Sequence, residues 1–287
     1  MKKDIHFIIN KSELTAGTRG ASLGPEALFV AARAVNNRFF NDFIVEELPN
    51  YNFLLDQPVE HAFAKRIGGL IQVYSVVSTI ISEKLAKQQF PFLLSGDHGS
   101  AGGTIAGIKK AFPTKRLGVI WVDAHGDLHT PFTTPSGNMH GMPLASVLNE
   151  DNLVCQINEV PTATIEAWNQ LKNTGFVGAK IQPEDLIFIA VRDTEAQENA
   201  LIDRFNIKNY SVAEVQAGFK AHPDLLIRTE VITKEKKKTI LSREESELRL
   251  SQASLVVEGA NLTRNEYGSK LFADFFFFIT GFHGFHV

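Results

Sequence analysis

Residues 121–130 read WVDAHGDLHT, and three side chains in that run can hold a metal ion. Asp123, His125 and Asp127 alternate, directly after the apolar stretch 117–121 (LGVIW). Alternate residues of an extended strand share a face, so these three would emerge together from the end of a buried strand. Two carboxylates and an imidazole suit a hard to borderline divalent ion such as Mn²⁺. A surface loop that merely happened to be acidic would not need the apolar run in front of it. A fourth donor, His98, follows the short apolar segment 90–94 in Ser95-Gly96-Asp97-His98, where Gly96 and Gly99 allow close backbone approach. Taken alone, a histidine after a strand is more often an ordinary loop residue. Open α/β sheets gather their sites at the carboxyl ends of strands, so the four donors converge if the two strands are neighbours. Two ions sharing a carboxylate would fit this set, and a water between them would lose a proton near neutral pH and become a nucleophile. Such a pair needs about six protein ligands, so the remainder must come from later in the chain.

The elements around these residues alternate between strand-like and helix-like, the pattern of a parallel sheet covered by helices. Strands are expected at 4–10, 42–47, 90–94, 117–122, 185–191 (DLIFIAV) and 209–212. Helices are expected at 26–35, with Pro25 suited to a first helical position, at 59–87, weakened by Gly68-Gly69, at 100–112, 141–149 and 196–205, and around 168–172. Beyond residue 217 the character changes. Residues 220–250 are rich in charge, 242–250 fits a solvated helix, and 254–257 a strand. Four consecutive phenylalanines, Phe275 to Phe278, must lie in a core or an interface, because exposed they would invite aggregation.

Bulk properties exclude several functions. A chain of 287 residues, 44% of them hydrophobic, can build one large α/β domain or two small ones. Its net charge of −3 gives no electrostatic case for nucleic acid; the run EKKK at 235–238 reads as a solvated helix face or loop. Cys155 is the one cysteine, which rules out an intrachain disulfide framework and suits a reducing compartment. The apolar stretch in MKKDIHFIINKSE is too short for a signal peptide. No apolar run reaches the roughly 18 residues a membrane span needs, so the expectation is a cytoplasmic protein with no membrane partner.

Residues 95–148, SGDHGS…WVDAHGDLHTPFTTPSGNMHGMPLASVL, resemble the ureohydrolase superfamily and, within it, the arginases. The resemblance runs from about Ala16 to Val215 and takes in TAGTRGASLGPEAL and VRDTEAQENAL. It implies a three-layer α/β/α fold with a mostly parallel central sheet. It also implies hydrolysis of L-arginine to L-ornithine and urea by a metal-bridged hydroxide, with two Mn²⁺ per chain in a homo-oligomer. His98, Asp123, His125 and Asp127 match the family's metal ligands, with Asp123 bridging. His140 matches the histidine that passes a proton to the leaving amine, a role an imidazole suits. Ser136 and Asn138 match residues that bind the substrate α-carboxylate; Asp193 and Glu195 match the pair that takes the α-amino group. Such a clamp favours arginine over agmatine, which has no α-carboxylate. Glu195 stands where many arginases have Asp, and His129 where many have Asn; both keep the needed charge or donor. Glu198 matches a further acid of the family, though by itself it reads as an exposed helix residue, and Arg19 reads as surface charge.

The C-terminal part departs from this pattern. Arginases draw their other metal ligands from S-F-D-V-D with a following D-P, and hold the guanidinium with a glutamate in an E-V-N-P context. Neither motif occurs here. After residue 216 the aspartates are Asp224 and Asp274, and Glu258 is the best substitute ligand on position. The sequence therefore reads as an arginase-like α/β domain over 1–216 and a divergent C-terminal segment of the same domain over 217–287. The strands that carry the absent motifs lie in the middle of the family's sheet, so 254–258 and 272–279 would have to replace them. A divergent natural end, a misjoined coding sequence or a loss of catalysis would each leave this pattern. The alternative function is thus a catalytically impaired arginase-like protein with a structural or regulatory role. A phosphoesterase is disfavoured because no basic phosphate clamp accompanies the D-x-H motif.

Overall fold

Short runs of apolar and β-branched residues form the strands of this chain, and segments with helical spacing lie between them. The computed structural model describes residues 4–34, 39–221, 230–232, 238–240, 245, 248, 251 and 252. The chain divides into two compact units, the larger holding the residues up to Asn209 and the smaller beginning at Tyr210.

Two three-stranded sheets carry the larger unit. In the first, β1 (Ile5–Asn10) lies between β2 (Ile44–Glu47) and β3 (Phe90–Ser95), and both pairings are parallel. In the second, β5 (Leu186–Ile189) lies between β4 (Val119–Val122) and β6 (Lys208–Tyr210). β4 and β5 are parallel, in the register Val119↔Leu186 to Val122↔Ile189. Parallel pairing needs long crossovers, and helices supply them: α1 (Gly24–Ala34), α2 (Ile67–Ala86), α3 (Ala101–Ala111), α4 (Pro143–Leu148), α5 (Thr162–Asn173) and α6 (Ala196–Phe205). Parallel strands flanked by helices are the expected α/β/α arrangement. Six of the anticipated strands and all the anticipated helices of this unit occur, most with ends shifted by a few residues.

The core has two centres. Ile8, Leu70, Tyr74, Val77, Ile81 and Trp168 gather around α2. Trp121, Leu128, Leu144, Phe188 and Leu201 gather behind the second sheet. Each such side chain contributes roughly 1.5–3 kcal/mol when fully buried. Close contact between α2 and α3 depends on glycine: a Cβ on Gly102 would lie 2.4 Å from Tyr74 Cζ. The α2 helix starts at Ile67, not at residue 59. Arg66, with φ of 60°, ends the preceding loop in a left-handed conformation, and the first turn keeps Gly69 because Leu54 and Leu14 press against it.

The smaller unit contains α7 (Val212–Ala221) and an antiparallel hairpin, β7 (Glu230–Ile232) with β8 (Lys238–Ile240). The hairpin was not anticipated, and Lys238 belongs to a strand where a helix face or loop was expected. The segments 254–258 and 272–279, including the four phenylalanines, and Asp224 lie outside the described residues, as does most of the expected helix 242–250.

Candidate metal centre and adjoining cavity

Two loops at the carboxyl ends of β3 and β4 bring the donors together. After β3 the backbone turns sharply at Gly96, where a Cβ would meet the Ser12 carbonyl at 2.7 Å. Asp97 follows and is buried; its Oδ2 accepts hydrogen bonds from the Ser12 hydroxyl at 3.0 Å and the Thr15 amide at 3.1 Å. Burial pushes the Asp97 carboxyl up from its ordinary range. This anchor fixes the next residue, His98, whose ring stacks on Trp121 of β4 with centroids 4.5 Å apart. A strand of the other sheet thus orients the imidazole.

His98 Nδ1 lies 3.1 Å from Asp123 Oδ2 and 3.0 Å from Asp127 Oδ2. The donor atoms of these three residues all fall within 4.8 Å of one another. Burial would lower the His98 imidazole, but its bonds to Asp123 and Asp127 outweigh that and hold it up at about 10. Burial would likewise raise Asp123; hydrogen bonding to His125 and His98 prevails and keeps the carboxyl far below the usual carboxylate range. Asp127 Oδ2 is buried, and His98 Nδ1 at 3.0 Å is the polar contact that offsets its burial. The same nitrogen faces the second carboxylate, that of Asp123. That donor set fits a divalent cation.

His125 stands next to this group and outside it. Its amide donates to Asp123 Oδ1 at 3.0 Å, and its ring lies 3.5 Å from the same oxygen and 3.6 Å from Asp193 Oδ2. The hydrogen bond to Asp123 raises its imidazole above the ordinary value. His125 and Asp193 also pair as an isolated parallel bridge, and the amides of Arg192 and Asp193 both donate to the Ala124 carbonyl at 2.9 Å. The loop after β5 is therefore strapped to the loop after β4, and Asp193 and Glu195 come with it.

Eight of the residues that the sequence singled out line one cavity of about 240 Å³: His125, Asp127, His129, Ser136, Asn138, His140, Asp193 and Glu195. Ser136 and Asn138 share a tight turn, with the Asn138 amide donating to Ser136 Oγ at 3.1 Å. His140 is held through its amide by the Thr15 carbonyl at 3.3 Å. His129 is buried; Nδ1 faces Thr133 Oγ1 at 3.2 Å, and Nε2 lies 3.4 Å from Glu195 Oε2. His129 and Glu195 thus touch in the cavity wall. Glu198, which matches a further acid of the family but by itself reads as an exposed helix residue, is buried and lines the same cavity. Its signal was the spacing from Glu195: the two form a capping box at the start of α6.

A profile of the Arginase family matches residues 4–242. An arginase of Brevibacillus brevis is 31% identical over 215 residues, which make up 75% of this chain and 66% of that protein. The chain thus spans just under two thirds of that relative's length. Among solved structures, the arginase of Bacillus caldovelox superposes with a TM-score of 0.59 at 30% identity, covering 78% of this chain and 70% of that one. The Entamoeba histolytica arginase, solved with L-ornithine, gives 0.60 at 23% identity over 78% of this chain and 71% of that one, a likeness of fold alone.

Proposed function

The chain belongs to the arginase family, and from that premise we propose that it hydrolyses L-arginine to L-ornithine and urea with Mn²⁺ held by His98, Asp123 and Asp127. The observation that carries this reading is the meeting of three donor atoms within 4.8 Å at the edge of the cavity that holds the remaining site residues. His125, 3.5 Å from Asp123 Oδ1, is a donor available to a second ion. When bound, the metal supplies the Lewis acidity that lets water attack a guanidinium carbon near neutral pH. The chain's own groups bind and orient the substrate. Ser136, Asn138 and His129 donate hydrogen bonds to the α-carboxylate, and Asp193 and Glu195 accept them from the α-ammonium group. Fixing both groups on the α-carbon holds one end of the amino acid and directs its guanidinium to the metal end, and positioning of this kind supplies a large share of rate enhancement. His140 passes a proton to the nitrogen that leaves as the side-chain amine of ornithine, while the oxygen of water stays on the carbon as urea.

Among the described residues no helix is long and apolar enough to cross a membrane. A cytoplasmic homo-oligomer is part of the same reading, supported by the single free Cys155 and the family's habit.

A second reading is an arginase-like protein with impaired catalysis and a structural or regulatory role. The size of the ligand group favours it: among the described residues three donors cluster, and His125 lies outside them. Urea release by the purified chain after incubation with Mn²⁺, from arginine and from agmatine, separates the two. Urea from arginine alone supports the first reading. No urea from either substrate, in folded and metal-loaded protein, supports the second.

A further inference from the structure

We infer that Glu198 is a positioning residue that locks the metal-ligand loop to the loop that takes the substrate's α-ammonium group. The functional part of this inference rests on the proposed arginase reading; the mechanical part does not. Glu198 sits in the first turn of α6, and an ordinary capping box would use one of its oxygens. Here Oε2 does that work, accepting the Glu195 amide at 3.1 Å. Oε1 reaches out of the helix and accepts the Leu128 amide at 3.1 Å, seventy positions away in sequence. Leu128 lies between Asp127 and His129, so one carboxylate braces a metal donor on one side and a cavity imidazole on the other. His129 Nε2 is 3.7 Å from Glu198 Oε2. Gly126 leaves the space this needs, since a Cβ there would lie 3.0 Å from Glu198 Oε1.

Glu198 is only 4% exposed. Burying it is costly unless both oxygens are satisfied, and both are used on loops of the same site. Its effect is to fix the separation between the metal end of the cavity and the acids at Glu195 and Asp193. That separation sets the length of guanidino amino acid that can touch both ends.

The test is Glu198→Gln, which keeps the size and one acceptor oxygen but turns an NH₂ toward one of the two amides. Tyr74→Phe is the control; it removes the buried contact of Tyr74 with Ser146 Oγ (3.1 Å) and leaves the loops alone. Hydrogen exchange at the amides of Leu128 and Glu195 should quicken about tenfold or more in E198Q and stay unchanged in Y74F at a comparable loss of Tm. Calorimetric Mn²⁺ affinity should fall several-fold in E198Q and not in Y74F. KM for arginine should rise more than kcat falls, and the preference for arginine over its homologue one methylene longer should narrow. Unchanged exchange at both amides overturns the inference, whatever the metal or urea assays give. Quickened exchange with no urea from the unmodified chain keeps the brace and removes the arginase reading.

Discussion

Metal uptake at the His98 group should release a proton, and the pH dependence of binding measures it. In the metal-free chain His98 lies between Asp123 Oδ2 and Asp127 Oδ2, and the carboxylates hold its imidazole up at about 10. A metal needs the neutral ring, so the ion must replace the proton. At ~1.4 kcal/mol per pH unit, freeing the ring at pH 7 costs about 4 kcal/mol. Apparent Mn²⁺ affinity should therefore rise about tenfold per pH unit, roughly a hundredfold from pH 6.5 to 8.5. Titration calorimetry in two buffers of different ionisation enthalpy should count close to one proton released per ion. The metal-free protein should show the opposite trend in stability. A group whose folded value is raised contributes fully below its unfolded value, roughly 6.5, and loses that contribution as pH climbs toward about 10. Thermal melts without metal should thus weaken from neutral to alkaline pH, whereas melts in saturating Mn²⁺ should gain relative to them. A flat affinity profile, with no proton released, would refute the argument.

Three further outcomes are expected. Asp127→Asn should lower bound metal, measured by elemental analysis after dialysis, much more than His125→Ala, because Asp127 belongs to the compact donor group and His125 stands beside it. His140→Asn should leave metal content unchanged and reduce urea turnover by roughly 10²–10⁴-fold, the usual contribution of a positioned proton donor; loss of metal would instead make His140 a ligand. Gly102→Ala should cost about 1–3 kcal/mol and lower the melting temperature, since the new methyl would press on the buried ring of Tyr74, whose hydroxyl is tied to Ser146.

Much of the fold and site was legible because the strands that matter are uninterrupted apolar runs. DLIFIAV could hardly be anything but a buried strand, and it holds β5 with Arg192 and Asp193 just past its end. Asp123 follows the end of β4 directly, but the strand alternation does not carry on to Asp127, whose backbone is left-handed, and His125 lies outside the donor group. What the sequence hid was long-range or conformational. The start of α2 was obscured because residues 59–66 have helix-like apolar spacing, while Arg66 takes a left-handed conformation. Glu198 read as exposed because charged helix residues usually are; its burial depends on an amide seventy residues earlier. The hairpin of β7 and β8 is short and charged, and its strands carry no alternation strong enough to announce it.

Asp127 is asked for two unrelated things at once. Its side chain supplies a donor to the metal group, and its backbone sits at φ of 49°, in the left-handed region. Few side chains tolerate that region; asparagine and aspartate are among the exceptions, because a short polar group can bond locally there. The position is therefore a sieve with two meshes, one for charge and one for shape. Alanine fails both, glycine passes the backbone and fails the ligand, and asparagine keeps the turn while giving up the anion. Of the substitutions at this residue, asparagine is the one that reports on the chemistry of the carboxylate without also reporting on the strain of the loop.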